Sequence, residues 1–368
     1  MKILYDHQCF AMQNYGGISR YHYHLIKEFE KQTDIDVKLS LAYSNNFYIN
    51  NDNKLRVKKF FPNNKFYFKR TILDLINRKY TIPQIKEGNY DIFHPTYYNP
   101  YFLKHLKDKP FVITVHDIIH ELHPEIRNKI DRTIENKKSL LNVAKLIIAN
   151  SNNTKKDLMN IYGISYEKIE VVYLAASVNK QMSLKKDKLL LPEKYILYVG
   201  NRDFYKNFIN FVLAVESLLK EYSDIYLVTA GGGNFSKEEL EFFESKKLQS
   251  KILLKKADDA SLATLYTNAL AFVFPTLYEG FGIPALEAMN CDCPVIMSNT
   301  SSLPEVGGDA AIYFDPTDIG DIKAKIEMVI FNPELRKELI RKVSIQRENF
   351  SYEKTAKQMK RIYSQLIK

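Results

Sequence analysis

The stretch Phe274-Pro275-Thr276-Leu277-Tyr278-Glu279-Gly280-Phe281-Gly282-Ile283-Pro284-Ala285-Leu286-Glu287-Ala288 decides how the chain is read. A short apolar run of β-forming residues (271–274) ends at Phe274, a glycine-bearing loop follows, and Pro284 suits the first turn of a helix. The glycines let a ligand approach the backbone, and the free amides of a helix start favour a phosphate or sugar oxygen. Glu279 and Glu287 stand with seven residues between them, and each carboxylate accepts a pair of hydroxyl hydrogens, as polyol recognition requires. The same residues also suit a solvent-facing helix start whose acidic side chains complement the dipole. Taken alone, they leave both readings open.

Outward from this unit the pattern repeats. Apolar runs at residues 195–199, 225–229, 252–254, 294–297 and 311–314 predict strands, separated by charged segments of helical period. An earlier series lies at 3–5, 37–41, 91–93, 111–115, 146–149 and 170–173, with helices predicted over 18–29, 124–143 and 154–162. Strands alternating with helices indicate parallel sheets covered on both faces. A polar, lysine-rich stretch at 175–191 reads as a linker. The expected architecture is α/β, with two Rossmann-like doubly wound domains facing across a cleft. They span residues 1–180 and 181–350, and a terminal helix over 351–368 returns to the first. Ligands of such sheets sit at the carboxyl ends of the strands.

Length and composition agree with two ordinary globular domains: 368 residues, 45% hydrophobic and 26% charged. Three cysteines cannot form a disulfide framework, and they suit a reducing compartment. Cys291 and Cys293 lack the second Cys or His pair of a structural zinc site. The apolar run at the start is too short for a signal-peptide core, and no run approaches a transmembrane length. A cytoplasmic protein, peripheral to the inner membrane face, is expected.

Several motifs together closely resemble the retaining glycosyltransferases of family 4, which have the GT-B fold. EGFGIPALEA (279–288) and SNTSSLPEVGGDAAIYFDP (298–316) carry most of the likeness. YVGNRDFYKN (198–207) resembles the family's pyrophosphate turn, GGISRY (16–21) its glycine loop, and TVHDIIHELHPE (114–125) its His-Asp segment. IIANSNNTKKDL (147–158) resembles the end of its first domain. The resemblance implies a hexosyl transfer from a nucleotide-diphosphate sugar to a glycan or lipid-linked acceptor. In this role His116 lies near the transferred sugar and Glu279 holds its hydroxyls. Gly17 and the amides of Phe281, Gly282 and Ile283 approach sugar and phosphate, Glu287 grips the ribose, and Arg202 and Lys206 neutralise the diphosphate. Positive charge aimed at a developing negative leaving group lowers the barrier. The family's usual Arg-Lys-Asn is Tyr205-Lys206-Asn207 here, with Arg202 earlier in the loop. Likeness within SSLPEVGGDAA and TVHDI leans towards mannosyl- or deoxyhexosyltransferases of O-antigen or capsule synthesis, with a GDP-mannose-like donor.

Other features are weighed against this reading. His116 and His120 are four apart, but in a loop after a strand and without an HExxH spacing, so no metal and no other cofactor is expected. His94 suits either a ligand-facing or a packed histidine. Asp34-Ile35-Asp36 enters a strand and reads as structural. Residues 54–80 carry nine basic residues against Asp74 alone, interleaved with phenylalanines, a net +8 of the chain's +10. Lys58, Lys59, Lys69 and Arg70 there suggest an acceptor or anionic-membrane side, or else a solvated loop around buried aromatics. No nucleic-acid motif accompanies them. A dehydrogenase is disfavoured because no GxGxxG opens a helix directly after a strand. A glycan- or nucleotide-binding protein of the same fold without transferase activity is the alternative.

Overall fold

The computed structural model describes residues 1–126, 131–183 and 189–367. Residues 127–130 of the expected helix 124–143, and residues 184–188 of the expected linker, lie outside the described residues. The chain forms two compact units, Met1–Leu174 with the helix Tyr352–Ile367, and Ala175–Ser351.

Among the described residues, the first unit holds six parallel strands: β1 (Lys2–Tyr5), β2 (Asp36–Leu39), β3 (Ile92–His94), β4 (Val112–Val115), β5 (Leu146–Ala149) and β6 (Ile169–Val171). They form the ladders β2-β1-β3 and β4-β5-β6. A parallel bridge from Phe93 to Phe111 and the Phe93 N–H donated to the Pro110 carbonyl join the two. The order therefore reverses at β1 and β3, which makes that point the switch of a doubly wound sheet. Helix Tyr352–Ile367 seals this unit. Its Tyr363 is fully buried, sharing a 2.7 Å hydrogen bond with the Tyr5 hydroxyl and packing on Phe29.

The second unit is one six-stranded parallel sheet: β7 (Lys194–Val199), β8 (Ile225–Ala230), β9 (Ile252–Lys255), β10 (Ala271–Phe274), β11 (Val295–Ser298) and β12 (Ala311–Phe314). Its order, β12-β11-β10-β7-β8-β9, places the switch between β7 and β10. Helix Phe208–Glu221 buries Phe208, Phe211, Val212, Val215 and Leu218 on it, a spacing set by the helical period.

Three sequence expectations need correction. The helix expected over 124–143 is a short turn, Pro124–Ile126, and a separate helix, Thr133–Val143. The chain passes from one unit to the next after Leu174, six residues before the expected boundary. Residues 175–183 already pack on the second unit, with Lys180 ion-paired to Asp292 and the Ser183 hydroxyl 3.4 Å from that of Thr264. The basic segment is a loop only in its first half; from Lys69 it is a 19-residue helix, Lys69–Glu87. Its buried stripe is Leu73, Asn77, Thr81 and Ile85. Asn77 satisfies both Ala42 and Tyr43 amides, so half of the stripe is polar and the apolar period is hidden.

Candidate active site

In the second unit, the loops after β7 and β10 flank the switch point, and the sequence explains their shape. After Val199 the chain turns through Gly200 into a short helical turn, Phe204–Lys206, and Asn207 takes a left-handed conformation at φ 58°. The Tyr205 carbonyl accepts hydrogen bonds from the Leu277 N–H at 2.7 Å and the Thr276 hydroxyl at 3.2 Å, pinning the two loops together. Lys206 thereby reaches Glu279, with Nζ 2.5 Å from Oε1, each side chain about one-seventh exposed (14% and 15%). The loop after β11 supports this carboxylate. The Ser301 hydroxyl accepts the Glu279 N–H, and the Ser302 hydroxyl donates to the Glu279 and Phe281 carbonyls.

Gly282 stands at φ 110°, and a Cβ there would lie 2.8 Å from buried Leu303 Cδ2, so only glycine fits. It opens helix Ile283–Asn290 with Pro284 in its first turn. Phe281 is buried and Ile283 partly so. Glu287 is 3% exposed and accepts a hydrogen bond from the Tyr266 hydroxyl at 3.3 Å. Burial, reinforced by this carboxylate, raises the Tyr266 hydroxyl and pushes the Cys291 thiol up to about 12.

Arg202 does not sit as a free cation. Its Nε is 2.6 Å from Glu239, and the guanidinium donates to the carbonyls of Gly231 and Asn234 while lying over the Phe235 ring. Its side chain is 5% exposed. The glycine turn after β8 packs so closely on the β7 loop that a Cβ on Gly232 would meet the Gly200 carbonyl at 3.1 Å. Arg202 straps that turn, because Glu239 and the carbonyls take its charge and its N–H groups. Lys206 is left as the cation beside Glu279.

In the first unit, His116 directly follows β4. Its backbone is gripped on both sides: the N–H donates to the Tyr98 hydroxyl at 3.0 Å, and the Asn150 amide donates to its carbonyl at 2.5 Å. The ring meets His22 and Tyr21 edge-on, and its buried Nε2 has no hydrogen-bond partner among the described residues. Burial lowers His116 to about 4, so the ring is neutral at pH 7. His94 is a packed histidine, bonded to the Tyr363 and Thr114 hydroxyls and lowered to about 3, chiefly by burial. Gly17 begins helix Gly17–Phe29, its amide one of the first-turn donors with no intrahelical acceptor.

Behind His116 stands an ion pair that sequence reasoning missed. Lys137 is fully buried, 2.9 Å from the carboxylate of Glu121, and donates to the Asp117 carbonyl at 3.0 Å. Its ammonium also lies 5.1 Å above the Tyr98 ring, whose hydroxyl holds His116. Tyr162 donates to the same Glu121. Nothing in the sequence separates Lys137 from its neighbour Lys138 except the fold.

In the basic segment, Lys58 and Lys59 are exposed, but Lys69 is spent on the carbonyls of Phe61 and Asn64. Arg70 is exposed. Phe60 is buried, whereas Phe61, Phe66, Tyr67 and Phe68 stay exposed, Tyr67 by 84%. Among the described residues no group of three or more His, Cys, Asp or Glu is placed to hold a metal ion, and no helix is long and apolar enough to cross a membrane.

Two doubly wound units, one carrying a lysine and a glutamate at its switch point, agree with the GT-B glycosyltransferase that the motifs resemble. The family described as Glycosyltransferase Family 4 matches residues 15–179, and Glycosyl transferases group 1 matches residues 180–344. The O-antigen chain mannosyltransferase B of Escherichia coli is 32% identical over 289 residues, covering 75% of this chain and 74% of that protein. The O-antigen chain mannosyltransferase RfbU of Salmonella typhimurium is 31% identical over 216 residues, 56% of this chain and 57% of its own length. The solved sucrose-phosphate synthase of Thermosynechococcus elongatus superposes with a TM-score of 0.78 over 100% of this chain and 99% of that one, at 18% identity. Anabaena Alr3699/HepE in complex with UDP and glucose gives 0.74 over 99% of each chain, at 16% identity. The chain belongs to glycosyltransferase family 4, and it is a hexosyltransferase of polysaccharide synthesis.

Proposed function

We propose that the chain moves a mannosyl-type hexose from a nucleoside-diphosphate sugar, GDP-mannose-like, to a growing surface glycan, with retention at the anomeric carbon and without a metal cofactor. The observation that carries the reading is the Lys206–Glu279 pair at the switch point of the second unit. Lys206 meets the leaving diphosphate, and Glu279 then turns to the hydroxyls of the donor sugar. Glu287 holds the ribose, and the amides of Phe281, Gly282 and Ile283 line the approach. His116, neutral and with an unpartnered ring nitrogen, offers a hydrogen bond to the transferred sugar rather than a proton. The mannosyl preference rests on the names of the relatives and is the finer part of the reading.

The exposed aromatics beside Lys58, Lys59, Lys65 and Arg70 support reversible binding at an anionic membrane face. A panel of GDP-, UDP- and dTDP-sugars tests the donor: the true one raises the melting temperature through mass action. Transfer should survive EDTA and give an unchanged anomeric configuration by NMR; an inverted product ends the retaining reading. Lys206→Ala should weaken nucleotide-diphosphate binding by about 10- to 100-fold, the loss of one charge-assisted contact.

A further inference from the structure

The switch point of the first unit holds a cavity of about 410 Å³ that the donor chemistry does not use. It lies where the loops after β1 and β3 part, with helix Lys69–Glu87 on one side and the start of helix Thr133–Val143 on the other. Among the described residues, three guanidinium groups line it: Arg70, Arg78 and Arg132.

Their partners differ. Arg78 is neutralised by Asp74 at 2.5 Å, and Asp74 is shared with His7. Asp131 is taken up by the Thr133 N–H and lies 3.6 Å from His120. The guanidinium groups of Arg70 and Arg132 have no hydrogen-bond or ion-pair partner among the described residues, and both residues are exposed. A cavity in which the carboxylates are already engaged, and two planar cations are not, favours an anion. A guanidinium fork suits two oxygens of one phosphate better than a single point charge does.

The rest of the wall is of another kind. Tyr97 and Tyr98 give it aromatic surface, and Asn136 brings a side-chain amide. This is a lining for a sugar ring beside a phosphate. Tyr98 also fixes the direction of the site, since its hydroxyl accepts the N–H of His116. An occupant of the cavity is therefore one side chain away from the turn placed against the transferred sugar.

We propose that this cavity takes a phosphate ester of the acceptor, gripped by Arg70 and Arg132, with the adjoining sugar against Tyr97 and Tyr98. The inference rests on the transferase reading and narrows it, because it makes the acceptor a phosphorylated glycan rather than a neutral one. The phosphate belongs either to a lipid-linked diphosphate or to a soluble sugar phosphate, and the two sources share this chemistry.

The test uses the full chain. In a Lys206→Ala background, which weakens the donor site, inorganic pyrophosphate and mannose 1-phosphate are titrated calorimetrically. Adding Arg70→Gln and Arg132→Gln should weaken both by at least tenfold without moving the melting temperature, since both side chains are exposed. With Lys206 restored, the double variant should keep its affinity for the donor nucleotide. Its KM should rise at least tenfold for a phosphorylated acceptor and stay within twofold for a neutral methyl glycoside. A tenfold effect, measured in neutral detergent micelles so that binding to an anionic membrane does not enter, upholds the proposal, and its restriction to lipid-linked diphosphate glycan or its extension to soluble sugar phosphate names the source. Unchanged phosphate binding, or an equal rise in KM for the neutral glycoside, overturns it. Arginine-dependent phosphate binding with no transfer from any nucleotide sugar would instead sink the transferase reading, and the acceptor role with it.

Discussion

Replacing Lys137 by methionine tests how the His116 turn is held. The ammonium is 0% exposed and its partner Glu121 5% exposed, so neither charge is solvated by bulk water. Methionine fills much the same volume but leaves Glu121 facing Tyr162 alone and the Asp117 carbonyl without its donor. Breaking a buried pair from one side costs about 3–5 kcal/mol, because the stranded charge stays buried. For a unit of this size each kcal/mol moves the melting temperature by about 2–4 °C, so a fall of roughly 6–20 °C is expected by calorimetry. Adding Glu121→Gln removes the stranded charge and should recover most of that loss. It does not restore the donor to Asp117, so turnover should stay depressed in the double variant while the melting temperature recovers. A single variant within about 1 kcal/mol of the parent, or a double variant no more stable than the single, would refute the reasoning.

Three further outcomes are expected. Burial holds His116 at about 4, His94 at about 3 and His22 well below the ordinary 6.5. The unfolded chain therefore takes up protons that the folded chain refuses as pH falls below about 6.5. Stability is lost between there and about 4, by up to roughly 4 kcal/mol per pH unit for three sites, and a flat thermal profile from pH 6.5 to 5 would contradict this. Gly282→Ala combines a φ of 110° with a 2.8 Å approach to Leu303, and should cost about 1–3 kcal/mol and weaken nucleotide binding in a titration. Arg202→Gln should loosen the glycine turn, seen as faster amide exchange at residues 231–234, with a smaller loss of donor affinity than Lys206→Ala.

Strands such as β7 and β10 were legible because each is a short run of apolar residues buried on both faces, bounded by polar loops. The loop at Glu279 was legible because its glycines and proline have backbone reasons to stand where they do. Helix Lys69–Glu87 was not, since Asn77 and Thr81 fill its inward stripe with hydrogen bonds while Ile72 and Leu75 stay outside. The pairing of Arg202 was not legible for a related reason. Sequence shows a charge but not its counterion, and Glu239 lies 37 positions away. The histidine cluster fell between these cases: His116 was marked by its motif, while His22 is one polar residue among many in an amphipathic helix whose inner face only the sheet reveals.

The helix Tyr352–Ile367 belongs to a unit whose other residues end at Leu174. During synthesis the ribosome makes all of Ala175–Ser351 before that helix appears, roughly 10–35 s at about 5–20 residues per second. For that interval the hydroxyl of Tyr5, the ring nitrogen of His94 and one side of Phe29 wait without Tyr363. The nascent first unit is thus an unfinished core held open on one edge until that helix of about four turns arrives.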